Sequence, residues 1–134
     1  MEVRKELTDE WQRSGIEDTN DFATLTDIMT KEWSGKTTRE YKNFKGLKKE
    51  NLRDHMTNME LVLNMLAEVS ATDLSKETDP IGMSESAKVA KQGGSVAKAA
   101  RLQYEKQSGK KAVTPLNAKD IKSLKSGKGD GDES

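Results

Sequence analysis

The densest chemical signal in the chain is a run of cations. Lys36, Arg39, Lys42, Lys45, Lys48, Lys49 and Arg53 place seven positive charges within eighteen residues, with Tyr41 and Phe44 set between them. Cations displace counterions from phosphates and exposed rings stack on unpaired bases, so this composition suits a single-stranded nucleic-acid surface. Tyr41 and Phe44 are three apart, which on a helix puts them on one face. Packing of both rings into a core, with the lysines simply solvated, is therefore the stronger expectation. Phosphate contact by the lysines holds under either arrangement. A second basic set follows at Lys88, Lys91, Lys98, Arg101, Lys106, Lys110 and Lys111. If the two sets share a face they make one polyanion surface; if they oppose each other, each docks on an acidic block.

Other chemistry finds little raw material. The chain has no cysteine and one histidine, His55, so thiolate metal sites, disulfides and cysteine nucleophiles are excluded and a histidine-based triad is hard to build. Gly35-Lys36-Thr37 resembles the end of a phosphate-binding loop, but that motif needs a glycine where Thr30 stands and a preceding strand where a helix is expected. Gly35 reads better as a helix stop followed by a cap. Asp54 and His55 are adjacent, and adjacent helical residues do not face one another. The closing Gly-Asp-Gly-Asp-Glu-Ser lacks the twelve-residue ligand spacing of a calcium loop. No metal or cofactor is called for, and no nucleophile, base and oxyanion donor come together, so a non-enzymatic module is expected.

Composition points the same way. Across 134 residues, 34% are charged and only 32% hydrophobic, so part of the chain is expected to stay unfolded; residues 117–134, a Lys/Ser/Gly/Asp tail, are that part, and residues 1–116 form one helical domain. No run is apolar enough to span a membrane. The charged N-terminus and absent cysteines lead to the expectation of a cytoplasmic address. The net charge of zero conceals blocks of alternating sign, running from minus five over residues 1–35 to plus five over residues 36–53, and the alternation then repeats. Such segregation produces acidic and basic faces unless neighbouring blocks pair internally.

The elements that must position these charges are helices. Val3, Leu7 and Trp11 form one apolar stripe that stops near Ser14-Gly15. Thr19 or Asn20 is expected to cap a second helix carrying Phe22, Leu25, Ile28, Met29 and Trp33 to Gly35. Two capping boxes follow, Thr37-Thr38-Arg39-Glu40 and Thr57-Asn58-Met59-Glu60. The second opens a helix, apolar nearly all round, that should be central and run to about Leu74. Glu60, Asn64 and Glu68 form its polar edge at i, i+4 and i+8. With Asp54 and His55 they are the candidate contacts to a protein partner. Asp79-Pro80 ends this helix, and a small-residue helix from Ser84 is expected to break or kink at Gly93-Gly94. Strands are not expected, except for a short piece around Ala112–Thr114. The fold class is all-α, a small bundle of about five to six helices around the central apolar one.

Gly46-Leu47-Lys48-Lys49, then Leu52, Asp54-His55-Met56, Glu60-Leu61 and Asn64, together resemble the C-terminal region of the DNA-damage-inducible protein D family. Asp18-Thr19-Asn20-Asp21-Phe22 upstream and Val113 downstream resemble its flanks. The resemblance covers roughly residues 2–118 and leaves out the N-terminal region of full-length members. It implies a regulatory protein of the bacterial SOS response, acting on recombinase filaments on single-stranded DNA and related to prophage antirepressor-like proteins. Two functions follow as expectations. In the first, residues Lys36 to Arg53 contact DNA or a DNA-bound recombinase. In the second, an antirepressor-like module binds a repressor through its acidic residues with no direct DNA contact.

Overall fold

The computed structural model describes residues 2–116 and is all-helical there, with helices α1 (Val3–Arg13), α2 (Thr19–Ser34), α3 (Thr38–Phe44), α4 (Asn58–Thr78) and α5 (Gly82–Ser108) and one 3-10 turn at Arg53–His55. The tail expected to be disordered, residues 117–134, lies outside the described residues. Residues 112 and 113 form bends, and the short strand expected over 112–114 does not form.

Three helix starts, those of α2, α3 and α4, have a side-chain cap. The Asp18 carboxylate accepts from the Asn20 amide at 2.8 Å, so Asp18, not Thr19 or Asn20, caps α2. Both capping boxes form: Thr37 with Glu40 opens α3, and Thr57 with Glu60 opens α4. α4 runs one turn further than Leu74, to Thr78, and Asp79 ends it in the left-handed region at φ 51° ahead of Pro80. The Arg13 guanidinium holds the Asp79 carboxylate in that place. The Gly82 amide then donates to the Ser14 carbonyl at 2.8 Å, which ties the start of α5 to the end of α1.

α1, α2 and α5 all pack on α4, and α5 also lies along α2. Leu7, Trp11, Leu25, Met29, Trp33, Tyr41 and Leu63 fill the shared core. α5 passes through Gly93-Gly94 as one continuous helix, without the expected break. A side chain at Gly93 would stand 2.7 Å from Ala71 Cβ, and one at Gly94 would stand 2.6 Å from the Met29 carbonyl. The two glycines let α5 touch α4 on one side and α2 on the other, and that packing outweighs their poor helix propensity.

The central helix turns an unexpected face inward. Its buried positions are Glu60, Leu63, Asn64, Ala67, Glu68, Ala71, Thr72 and Ser75, whereas Val62 is 59% exposed and Met65, Leu66 and Val69 are half-buried. In a helix apolar nearly all round, hydrophobicity does not choose the buried face. The small residues Ala67 and Ala71 choose it, because they accept the close approach of Gly93, and they share that face with Glu60, Asn64 and Glu68.

Candidate functional site

Two cations of the 36–53 run are used inside the molecule. The Lys45 side chain is fully enclosed: its Nζ lies 2.7 Å from Glu60 Oε1 and donates to the carbonyls of Thr114 at 2.9 Å and Leu116 at 2.5 Å. Lys45 is thus not the phosphate contact that its spacing suggested. Arg53 places Nη2 2.5 Å from Glu68 Oε2 while staying about a third exposed. Lys36 lies over the Phe44 ring, 4.2 Å from its centroid. Arg39, Lys42, Lys48 and Lys49 make no ion pair with a described residue.

The two rings part company. Tyr41 is completely buried, 6.1 Å from Trp33, and donates its hydroxyl to Glu60. Burial first, and that hydrogen bond to a carboxylate second, push its phenol far above the usual tyrosine range. Phe44 is 38% exposed. Three residues on a helix leave an offset of about 60°, and on a helix as short as α3 that sends one ring into the core and the other to the rim.

Arg39, Lys42 and Lys48 converge with Arg4 on a cleft of about 480 Å³ walled by Ala23, Thr26, Asp27 and Thr38. Arg4 was not legible as a member. It stands far upstream of the basic run and reaches the cleft because α1 packs on α4 and Arg4 extends to Thr26 of α2. Its Nη2 donates to Thr26 Oγ1 at 2.6 Å, its guanidinium sits 5.2 Å above the Trp11 ring, and its Nη1 lies 3.7 Å from Glu68 Oε2. Burial pulls its pKa below the ordinary arginine value; Glu68 opposes that pull and Arg53 adds to it. The Thr38 amide donates to Asp27 Oδ1 at 3.0 Å, so the one carboxylate in the wall already has a partner.

Arg4, Thr26 and Thr38 also wall a deeper recess of about 230 Å³ that reaches Thr30, Asn51, Arg53, Asn64 and Glu68. Of the five residues expected to meet a protein partner, Asp54 is exposed and His55 half-buried on the 3-10 turn. Glu60, Asn64 and Glu68 instead point into the bundle, at 0%, 8% and 2% exposure. They are not an acidic outer edge, because the face they occupy is the one α4 packs with. Glu60 is satisfied by Lys45, Tyr41 and the amides of Thr57 and Thr114.

No residue of the second basic set lines the cleft. Arg101 is internal, donating from Nε to the Trp33 carbonyl at 2.7 Å and pairing with Glu105 at 3.1 Å. Lys88 and Lys91 border a separate groove of about 820 Å³ between α2 and α5, together with Lys31 and Ile28. Asp27 is a wall of both this groove and the cleft, so the two basic sets flank the α2 ridge.

Among the described residues no cluster of three or more His, Asp or Glu side chains is arranged to hold a metal, and no helix is long and apolar enough to cross a membrane. No family model, curated protein or solved structure matches the chain. The arrangement of charges is suited to gripping an anion along the Arg39–Lys42–Lys48 wall.

Proposed function

We propose that the protein is a non-catalytic binding module that grips the phosphate backbone of single-stranded DNA, free or within a recombinase filament, through the cleft formed by Arg4, Arg39, Lys42 and Lys48. Its setting is that implied by its resemblance to DNA-damage-inducible and phage-regulatory proteins. The observation that carries this reading is the convergence of Arg39, Lys42 and Lys48, none of them ion-paired with a described residue, on one cleft that Arg4 joins from another helix. Cations held for internal stability would resemble Lys45, enclosed and matched to a carboxylate. The half-exposed Phe44 ring beside Lys36 offers a stacking platform at the edge of the same basic run. The antirepressor-like alternative is less well supported, because Glu60 and Glu68 are turned inward.

The test is a titration of fluorescently labelled single- and double-stranded DNA at two salt concentrations, using the full chain and the double variant Lys42→Glu, Lys48→Glu. Salt-sensitive binding that prefers single strands and falls at least ~10-fold in the variant is expected, with a salt slope reduced by roughly 0.7 for each phosphate contact removed. Absence of binding at low salt would refute the reading and return these cations to the role of solubilising surface.

A further inference from the structure

The recess beside the cleft holds a buried polar atom to which no described residue donates. Glu68 is 2% exposed; its Oε2 takes Arg53 and lies near Arg4, but its Oε1 has no hydrogen-bond partner among the described residues. One turn earlier, Asn64 is 8% exposed and lines the same recess. A buried carboxylate oxygen without a partner is costly and calls for a ligand that supplies the missing bond; Asn64, lining the same recess, can add a second one.

The two arginines indicate what kind of ligand. Arg4 and Arg53 stand at the mouth, each more than a third exposed at the side chain, and both are drawn to the same Glu68 oxygen. An anion arriving at the cleft competes with Glu68 for them. Any weakening of those pairs leaves a buried carboxylate that needs an N–H donor in return. A ligand that brings a phosphate to the arginines and an N–H to Glu68 satisfies both at once, and a nucleotide has that combination.

Resting on the nucleic-acid reading above, the geometry points to this recess as a base-reading pocket: one base of the bound strand enters it, gives an exocyclic amine hydrogen to Glu68 Oε1, and accepts from the Asn64 amide at the adjacent ring nitrogen. Its phosphate stays on the cations outside. Cytosine and adenine carry that amine beside a ring acceptor. In thymine the only ring N–H lies between two carbonyl oxygens, which face the carboxylate unfavourably. The strand is read for an amino-bearing base at one position, while the surrounding contacts remain sequence-independent.

The experiment compares anisotropy titrations of oligodeoxycytidylate and oligothymidylate of equal length against the full chain, Asn64→Leu and Glu68→Gln, with circular dichroism melts to establish folding. Both oligomers are weakly stacked pyrimidines, so a difference between them reports the amine. The cytidylate is expected to bind about 10-fold tighter. Asn64→Leu should erase that difference by weakening the cytidylate alone. Glu68→Gln, which turns an acceptor into a group that also donates, should narrow or reverse it. Equal binding of both oligomers by the native chain overturns the base-reading pocket while leaving the backbone-gripping module intact. A preference that survives both folded variants overturns it too. If Asn64→Leu does not fold, Glu68→Gln decides alone. Failure to bind either oligomer overturns the proposed function and this inference with it.

Discussion

Lys45 and Glu60 form an ion pair with both side chains wholly enclosed, Nζ 2.7 Å from Oε1. The same two residues hold the last described segment of the chain: Lys45 donates to the carbonyls of Thr114 and Leu116, and Glu60 Oε2 accepts from the Thr114 amide at 3.2 Å. The cap of α3, the first turn of α4 and the strap after α5 therefore meet at one internal charge pair.

Removing only one partner leaves an uncompensated charge in the interior. Lys45→Met is expected to lower stability by roughly 3–5 kcal/mol, read as a shift of the urea midpoint. Hydrogen exchange at Ala112 to Leu116 should accelerate beyond what the global loss explains, because the strap loses its anchor. Pairing Lys45→Met with Glu60→Gln should recover part of the loss, since glutamine has no charge to strand and its one carbonyl oxygen still accepts from one of the two amides, Thr57 or Thr114, that the carboxylate takes on separate oxygens.

The glycine pair of α5 makes an opposite prediction from the one propensity gives. In an exposed helix interior Gly→Ala gains about 1 kcal/mol. Here an added methyl at Gly93 meets Ala71 and the Ala67 carbonyl, and one at Gly94 meets the Met29 carbonyl at 2.6 Å, all on neighbouring helices rather than on flexible side-chain ends. Each Gly→Ala change should destabilise by about 1–3 kcal/mol through overpacking. Thermal melts that rise instead would show that the helices can move apart freely.

Local signals made much of the fold legible and little of the site. Thr37-Glu40 and Thr57-Glu60 are reciprocal hydrogen-bonding pairs three residues apart, so their sequence spacing is their structure. The left-handed stops at Gly35 and Gly109 are equally local. What escaped the sequence depends on partners distant along the chain. Gly93 reads as a breaker until Ala67 and Ala71 are seen against it. Lys45 is indistinguishable from Lys42 until its Nζ meets Glu60 and the strap. Arg4 belongs to an acidic block by position and to the basic cleft by packing. The outward look of Glu68 followed from assuming that the polar edge of an apolar helix must face water, an assumption that two arginines set against it overturn.

Acid should destabilise the protein through Glu10 in particular. Its carboxylate, 9% exposed, takes Arg13 Nη2 at 2.5 Å and the Ser75 hydroxyl at 3.1 Å. The bond from Arg13 leads in pulling its pKa below the ordinary value of 4.5, against the upward push of burial. The native state thus releases this proton more readily than the unfolded chain does. The stabilisation is fully present above the unfolded value and disappears as pH falls through the lower native one. Exposed Glu40 and Glu50 are shifted the same way by backbone amides. Urea midpoints should hold from pH 7 to about 5 and then fall steadily towards pH 2. Glu10→Gln should have a lower midpoint at pH 7 and a shallower decline, so that the two proteins converge in acid. Parallel declines would mean that Glu10 is not among the titrating groups.

The last prediction separates the cations by what surrounds them. Arg39 lines the cleft with no ion pair to a described residue, so Arg39→Ala should leave the melting temperature nearly unchanged while weakening binding to every oligonucleotide alike and reducing the salt slope by roughly 0.7. Arg4 lines the same cleft, but it also donates to Thr26, covers Trp11 and faces Glu68. Arg4→Ala should therefore reduce the salt slope and lower stability together, because Thr26 and Glu68 lose a donor inside the fold. Lys49, exposed and outside the cleft wall, serves as the control: Lys49→Ala should change neither stability nor the salt slope appreciably. A basic patch acting only through net charge would make all three slopes fall equally. A defined cleft makes Arg4 and Arg39 differ from Lys49 in binding, and makes Arg4 differ from Arg39 in stability.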